Sequence, residues 1–269
     1  MPDSLVKIEI ADGVATLTLD RPAKRNALSR ELIAQLTAAV SRVAGDASTR
    51  VLMLCASGPV FCAGMDLDEM RDRARAVNAS AEWEQDATDF RDLLAAILRL
   101  DVPTAAVVQG PAIAGGFGIV LACDLVIAST AARFALPELR RGISPAVVSP
   151  LLIHRIGAGP ATPILLADQA LDGEAAHRVG LCHVLATPEN LDSARRELAA
   201  SILTGAPGAL AMTKRLMRSI SQATLFEQLE AGRKVSAEAR RTAEAREGLT
   251  AFLEKREPSW NVRRDSGGP

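Results

Sequence analysis

The stretch Gly110-Pro-Ala-Ile-Ala-Gly-Gly-Phe-Gly118 connects two apolar parts of the chain, and it decides the fold prediction. The run before it, Pro103-Thr-Ala-Ala-Val-Val108, has the length and composition of a buried strand. Residues 113–122 are almost entirely apolar and predict a short helix inside the protein. Because the turn between them lacks bulky side chains, it presents bare backbone N–H groups at a helix N-terminus, where negative charge is bound.

Two further segments describe the same kind of site. Phe61-Cys-Ala-Gly-Met-Asp-Leu67 follows the apolar run Val51-Leu-Met-Leu-Cys55 and predicts a second strand-to-helix turn of small residues. Phe134-Ala-Leu-Pro-Glu138 ends on a carboxylate. Two such turns can direct two N–H groups at one oxygen, and the carboxylate can accept a proton. Together they predict a site that moves protons next to a carbonyl group.

The three segments, in this order and spacing, resemble those of the enoyl-CoA hydratase/isomerase (crotonase) superfamily. The resemblance extends to the tail Phe252-Leu-Glu-Lys-Arg-Glu-Pro258 and therefore covers nearly the whole chain. It implies an α/β fold with a crotonase-type ββα spiral core over residues 1–200, holding the CoA and active sites. It also implies a helical C-terminal region over residues 201–269 that mediates assembly into a homotrimer or a hexamer of two trimers.

The residue pattern independently favours an α/β fold. Asp12-Gly13 between two alternating segments predicts a hairpin, and Ser29 is placed to cap the next helix. Apolar strands then alternate with helical segments, including a helical pattern from Asp66 to about Leu100. From about Pro188 onward no strand is predicted. Three helices are expected there, over residues 191–203, 208–220 and 223–253, the last weakened near residues 231–232.

Composition excludes several classes of protein. The chain has 31 basic and 32 acidic residues in 269, a net charge of −1 that argues against nucleic acid as a partner. It has no apolar run long enough to cross a membrane and no signal-peptide pattern at its start, so we expect a cytoplasmic protein. The four cysteines are expected to be buried, reduced thiols, Cys62 included, since no histidine lies near it in sequence. The histidines show no metal-ligand spacing, and no metal or cofactor is expected apart from coenzyme A as part of the substrate.

The resemblance assigns roles to particular residues. Ala63 and Gly115 match the positions whose N–H groups form the oxyanion hole, and Glu138 matches the catalytic glutamate. Phe252 and Lys255 match tail positions that can reach the coenzyme A of a neighbouring subunit. Asp66, included among the binding residues, is expected mainly to cap the following helix. The full set implied to bind substrate or coenzyme A is Lys24, Arg25, Ala27, Ala63, Gly64, Met65, Asp66, Leu67, Gly115, Phe252 and Lys255.

Gly118 departs from the family pattern, because two-glutamate hydratases carry their other glutamate at this position. Three readings stay open: a one-glutamate hydratase, an isomerase that moves a 3-enoyl to a 2-enoyl thioester, or an oligomer that binds acyl-CoA without turnover. Arg141-Gly-Ile-Ser-Pro-Ala-Val-Val-Ser-Pro150 is similar to a segment of methylglutaconyl-CoA hydratase-like members and favours the first. A branched or carboxylated 2-enoyl-CoA is then expected as substrate, with four candidates to bind a carboxylate: Arg140, Arg141, Ser144 and His154.

Overall fold

A computed structural model describes residues 4–74, 78–221 and 223–259. The strands are β1 Val6–Ala11, β2 Val14–Leu19, β3 Val51–Ala56, β4 Thr104–Val108, β5 Pro111–Ile113, β6 Leu125–Ser129, β7 Arg133–Ala135, β8 Leu171–Asp172 and β9 Val184–Ala186. The helices are α1 Arg30–Gly45, α2 Leu67–Ala74, α3 Ala79–Arg99, α4 Gly115–Ala122, α5 Ser149–Ile156, α6 Ala158–Ala167, α7 Gly173–Arg178, α8 Leu191–Leu203, α9 Pro207–Ser221, α10 Ala223–Ala239 and α11 Ala243–Leu253. Short 3₁₀ turns cover Pro22–Lys24, Pro137–Arg141 and Pro188–Asn190.

The main sheet has the strand order β1-β2-β3-β4-β6-β9. β1 and β2 form the antiparallel hairpin predicted around Asp12-Gly13, with Val6 opposite Leu19. The remaining neighbours in this sheet are parallel, and helices lie between consecutive parallel strands along the chain. The predicted α/β fold is therefore confirmed. The cap at the start of α1 is also confirmed, since the Ser29 side chain accepts a hydrogen bond of 3.1 Å from Leu32 N–H.

Both faces of this sheet are covered. Leu52 and Leu54 of β3 belong to the large core cluster that α1, α3 and α4 also enter. Val51 and Met53, which alternate with them, belong to a second cluster that includes Leu191 of α8. Because successive side chains of a strand point to opposite faces, a strand buried on both sides appears in sequence as a continuous apolar run. That is the pattern of Val51-Leu-Met-Leu-Cys55.

The small sheet, of order β5-β7-β8, brings the three motif segments together. β5 runs into α4, and β7 runs into the turn Pro137–Arg141. These two strands are parallel, with Ile113 beside Ala135, so both connections leave the same edge of the sheet. A parallel bridge between Cys62 and Ala112 attaches the third segment. The topology thereby places residues far apart in sequence around one point.

The structure corrects several boundaries. The helix predicted from residue 113 begins at Gly115, because residues 111–113 pair as β5. The helix predicted over 223–253 is two helices, because Thr242 starts a new one by accepting a hydrogen bond of 3.0 Å from Ala245 N–H. The expected weak point near Gly232 lies inside α10. The helical pattern from Asp66 to Leu100 forms α2 and α3, and residues 75–77 between them lie outside the described residues.

The division at residue 200 stays a prediction. This position falls within α8, which packs on β3 and β6 of the main sheet, and α9 to α11 follow. Within the described residues, no helix has the length and apolar character needed to cross a lipid bilayer.

Candidate active site

A mostly apolar cavity lies where the three motif segments meet. Its wall combines the two small-residue turns, part of α2 and α3, the turn Pro137–Arg141, the loop before α5, and α10 with the residue that follows it. The lining residues are Ala63, Met65, Leu67, Met70, Ala87, Phe90, Ala114, Gly115, Glu138, Arg141, Ile143, Ser144, Pro145, Ala146, Val147, Val148, Ser236 and Arg240.

Gly64 brings the two turns into contact. It has a φ of +86°, a backbone conformation that side-chain-bearing residues rarely adopt. A Cβ atom at this position would lie 2.7 Å from Ala114 Cβ and 3.4 Å from Gly115 N. Ala114, at the N-cap of α4, is itself strained, with a φ of +53°. The first turn can therefore pack against the start of α4 only because residue 64 has no side chain.

The structure corrects one of the expected oxyanion donors. The Ala63 N–H donates a hydrogen bond of 3.0 Å to the Arg25 carbonyl, so it is already occupied. On the same turn, the Asp66 N–H is bonded to the Leu28 carbonyl. Among the described residues the N–H groups of Met65 and Gly115 have no hydrogen-bond acceptor, and both residues line the cavity. The donor pair that the geometry offers is therefore Met65 and Gly115. The motif match had placed the first of these donors two residues earlier, at Ala63.

Glu138 places its carboxyl group in this cavity. Its Oε2 atom is buried and has no hydrogen-bond partner among the described residues. Burial raises the pKa of Glu138 to about 7, against the opposing effects of its own backbone N–H and the charges of Arg141 and Arg240. Pro137 starts the turn, and the Glu138 carbonyl accepts a bond of 3.1 Å from Ile143 N–H, which holds the backbone in place. A buried carboxyl that titrates near neutral pH is suited to exchange protons with a bound substrate.

Only some of the binding residues implied by the resemblance line the cavity. Ala63, Met65, Leu67 and Gly115 line the cavity. The loop bearing Lys24, Arg25 and Ala27 adjoins the cavity wall through the bond between Ala63 and Arg25. On this loop Arg25 is exposed, and Lys24 is paired with Asp68 at 3.3 Å. Their contact with coenzyme A stays a prediction.

Asp66 acts as a structural residue. Its Oδ1 accepts a bond of 3.1 Å from Asp68 N–H at the start of α2, and its Oδ2 pairs with Arg21 at 2.6 Å. Burial alone would raise the pKa of Asp66, but hydrogen bonds from Arg21 and from backbone N–H groups hold this pKa below its usual value. The expected capping role is confirmed. Its carboxylate is engaged by these partners and does not line the cavity.

The tail residues lie near the site of their own chain. The Arg141 guanidinium lies 4.4 Å from the centre of the Phe252 ring, a cation–π contact between the cavity wall and α11. Lys255 follows α11 with a φ of +55°. Neither tail residue lines the cavity, and a contact with a neighbouring subunit's coenzyme A stays a prediction.

Four residues were candidates to bind a substrate carboxylate, and the structure brings two of them to the cavity. Arg141 and Ser144 line it. Arg140 is instead exposed and paired with Asp168, and His154 lies on α5 away from the lining.

Cys62 is excluded as a nucleophile. Its side chain is buried behind the first turn, and burial raises the pKa of the thiol to about 12. Sγ donates to the Asn26 carbonyl at 3.1 Å. A thiol that stays protonated at neutral pH is a poor attacking group.

Gly118 faces a filled part of the wall. A Cβ atom on it would lie 3.0 Å from Val148 Cγ2 and 3.1 Å from Phe90 Cζ. Both of those side chains line the cavity, and Gly118 itself does not. Glu138 is therefore the one carboxylate among the described lining residues, and apolar groups occupy the space that a second carboxylate would need.

Two polar lining residues, Ser236 and Arg240, were missed by the sequence reasoning. They come from α10 and the turn after it, about 100 residues from Glu138 along the chain. Neither belongs to a local motif, since arginine and serine are common on exposed helix faces. Only the packing of α10 against α3, α5 and the loop before α5 shows that they reach the site.

Comparisons with known proteins identify the family of this chain. The sequence model of the family described as enoyl-CoA hydratase/isomerase matches residues 9–263. Mouse mitochondrial methylglutaconyl-CoA hydratase is 32% identical, over 92% of this chain and 79% of its own. The 2,3-dehydroadipyl-CoA hydratase of Escherichia coli is 31% identical, over 93% and 96% of the two chains.

A solved structure shows the same fold. The crystal structure of an enoyl-CoA hydratase from Mycobacterium avium superposes with a TM-score of 0.83 at 34% identity, covering 96% of this chain and 99% of that one. The expected crotonase-type core is thus confirmed. With the family model matching most of its length, this chain belongs to the enoyl-CoA hydratase/isomerase family, enzymes that act on acyl-CoA thioesters.

Proposed function

We propose that this protein catalyses the addition of water to the Cα=Cβ bond of a 2-enoyl-CoA thioester, or the reverse dehydration. The observation that carries the proposal is the buried Glu138 carboxyl, whose Oε2 has no partner and which shares one cavity with the N–H groups of Met65 and Gly115. A proton-transferring group and a binding place for a developing negative charge are the two parts that the reaction needs.

In the proposed reaction the Glu138 carboxylate first accepts a proton and later returns it. Deprotonated Glu138 accepts a proton from water as the water oxygen bonds to Cβ. The electron pair of the double bond moves towards the thioester, whose oxygen becomes an enolate oxygen. Glu138 then returns the proton to Cα, so that one water is added and the carboxylate is regenerated. A group with a pKa of about 7 can both accept and return this proton near neutral pH.

Met65 and Gly115 would stabilise the enolate. Both N–H groups are fixed by the backbone before substrate arrives, so little reorganisation is required when charge develops. The loss of one such donor typically costs about 3 kcal/mol of transition-state stabilisation.

The proposed substrate carries a branched or carboxylated acyl group. Support comes from two relatives whose names specify methylglutaconyl-CoA and 2,3-dehydroadipyl-CoA, both with a free carboxylate. Two cavity-lining guanidiniums, Arg141 and Arg240, also favour an anionic acyl group.

Loss of the conjugated-thioester absorbance measures hydration directly. The purified protein is mixed with 2-enoyl-CoA thioesters, with and without a carboxylate, and Glu138→Gln serves as the control because it keeps the size of the side chain and cannot accept the proton. We expect the absorbance to fall with the wild type and to persist with the variant. Persistent absorbance with the wild type and every thioester would contradict the proposal.

The second candidate is an isomerase, and the environment of Gly118 favours it. A single carboxylate can remove a proton from Cα of a 3-enoyl thioester and return it to the γ-carbon, without water taking part. Absorbance of a conjugated thioester would then appear with 3-enoyl-CoA and remain. If the absorbance of the conjugated thioester appeared and then decayed, isomerisation followed by hydration would be indicated.

We also propose assembly into a homotrimer, or a hexamer of two trimers. Met212 and Leu216 of α9 have 65% and 59% of their surface exposed, as expected of a helix that packs against another subunit. Light scattering of the purified protein gives the mass, and a monomer would contradict the proposal.

A further inference from the structure

Arg240 is a half-buried cation on the cavity wall. It follows α10 and lines the cavity, where its Nε and Nη1 atoms are buried and have no acceptor among the described residues. Burial lowers the pKa of Arg240, with Asp86 and Glu138 opposing this effect. Buried guanidinium nitrogens without an acceptor are costly, and proteins normally satisfy them with a carboxylate or a bound ligand.

The fold directs Arg240 to the cavity by close packing. Gly232, Ser236 and Arg240 are spaced four residues apart and therefore share one face of the α10 segment. Gly232 lies against the Ala146 carbonyl so closely that a Cβ atom would collide with it. The Arg240 guanidinium carbon lies 5.7 Å from the centre of the Trp83 ring, a cation–π contact that also holds this side chain.

The carboxylates of the described residues leave Nε and Nη1 of Arg240 without an acceptor. Asp86, although buried nearby, is bonded to Arg30 Nε at 2.6 Å and to Arg73 Nη1. Glu138 carries a full negative charge only above its pKa of about 7 and makes no hydrogen bond to Arg240. Arg141, whose Nε is also buried and unpartnered, adds a second positive charge to the lining. The cavity lining thus carries an excess of positive charge.

We infer that Arg240, assisted by Arg141, binds a carboxylate carried by the acyl group, so that the substrates are CoA monothioesters of unsaturated dicarboxylic acids. This inference rests on the proposed function, because it takes hydration as the reaction. The preference for a carboxylate is inferred from the residues that line the cavity. A carboxylate would provide the missing acceptors, whereas a neutral acyl chain of the same length would leave the guanidinium unpaired. The cavity therefore selects by charge.

An alternative role for Arg240 makes a different prediction. If its charge only lowered the pKa of Glu138, its removal would affect anionic and neutral substrates equally and would shift the pH profile of both. If it binds the substrate carboxylate, its removal changes the ratio between the two substrates.

The experiment compares two acyl groups of equal length. The ratio of kcat/KM for 2,3-dehydroadipyl-CoA to that for 2-hexenoyl-CoA is measured in the wild type, Arg240→Met, Arg240→Lys and the control Arg241→Met. Arg241 is bonded outside the cavity to the Ser80 carbonyl at 3.2 Å. We expect the ratio to exceed one in the wild type and in Arg241→Met, to fall by about 100-fold in Arg240→Met, and to recover partly in Arg240→Lys.

A binding measurement separates this inference from the proposed reaction. Adipyl-CoA and hexanoyl-CoA are saturated and cannot be hydrated, so calorimetry with both tests the Arg240 site even if hydration fails. We expect adipyl-CoA to bind at least about 10-fold more tightly, and Arg240→Met to abolish this preference. Equal affinities in the wild type, or equal losses of kcat/KM on both enoyl substrates in Arg240→Met, would overturn the inference.

Discussion

Gly64 lies directly against the start of α4, so that a methyl group added to it would come within 3.4 Å of the Gly115 nitrogen. The position that joins the two turns is thus also the position from which a side chain would crowd one proposed oxyanion donor. A glycine at position 64 is therefore needed both for the close approach of the two turns and for the formation of the proposed oxyanion hole.

The first prediction concerns Gly64→Ala. The added methyl would force the first turn away from Ala114 and disturb the Met65 and Gly115 N–H groups, so kcat/KM should fall by about 100-fold or more. Gly159→Ala on α6 is the matched control, because a Cβ there meets nothing within 4 Å. Steady-state kinetics with one enoyl-CoA checks both. Equal activity of the two variants would argue against the proposed oxyanion hole at Met65 and Gly115.

The second prediction is a pH dependence of activity. Because the Glu138 pKa is about 7 and the proposed mechanism needs its carboxylate, kcat/KM should rise with pH through that value and level off above it. Well below the pKa the rate should fall about tenfold for each pH unit. A profile that is flat between about pH 5 and 8 would remove Glu138 as the base.

The third prediction is a pH dependence of stability. Burial raises the Glu138 pKa from 4.5 to about 7, so its contribution to stability is fully present below the unfolded value and is lost as the pH rises through 7. Glu138→Gln stays neutral throughout. The Tm of this variant relative to wild type, measured without ligand, should therefore increase between about pH 5 and 8. A difference in Tm that does not change with pH would show that the Glu138 carboxyl is better solvated than its surroundings indicate.

The fourth prediction is that Gly118→Glu does not create a two-glutamate hydratase. Its Cβ would press on Phe90 and Val148, and the carboxyl would be buried without a partner, so the protein should lose several kcal/mol of stability and gain no activity. Gly208→Glu is the control, since a Cβ there meets nothing within 4 Å. Thermal unfolding distinguishes them. A stable Gly118→Glu protein with raised hydratase activity would contradict this description of the wall.

The fifth prediction concerns the ion cluster beside the cavity. Asp86 is 1% exposed and bonded to Arg30 and Arg73. Asp86→Asn leaves two guanidiniums short of a negative charge and should cost about 3 kcal/mol of unfolding free energy. Asp89→Asn, at a half-buried position whose carboxylate accepts a bond from Gln85, is the control and should cost less than about 0.5 kcal/mol. Denaturant unfolding measures both, and similar losses would mean that the buried cluster contributes little.

Local sequence patterns predicted the parts of the fold that depend on local chemistry. The Asp12-Gly13 hairpin, the Ser29 cap and the buried strand at residues 51–55 all follow from neighbouring residues, and the structure contains them. The break before Thr242 was missed, because residues 223–253 keep a helical pattern while the cap depends on one side-chain hydrogen bond.

The site was predictable only as far as its motifs extend. Glu138 and Gly115 were placed in one cavity by their segments, and the structure brings them together there. Ala63 was wrong as a donor, because the direction of an N–H depends on tertiary hydrogen bonds, here the one to the Arg25 carbonyl. Arg240 could not be found, because its role depends on where α10 packs.

Mass spectrometry of the acyl-CoA product formed in heavy-oxygen water tests hydration by Glu138 most directly. We expect a 2-enoyl-CoA to gain one labelled water with the wild type and none with Glu138→Gln. A 3-enoyl-CoA should gain labelled water only after it has become a 2-enoyl thioester. A 3-enoyl substrate that rearranges with no gain of mass, while 2-enoyl substrates stay unlabelled, would contradict hydration and establish Glu138 as the proton shuttle of an isomerase.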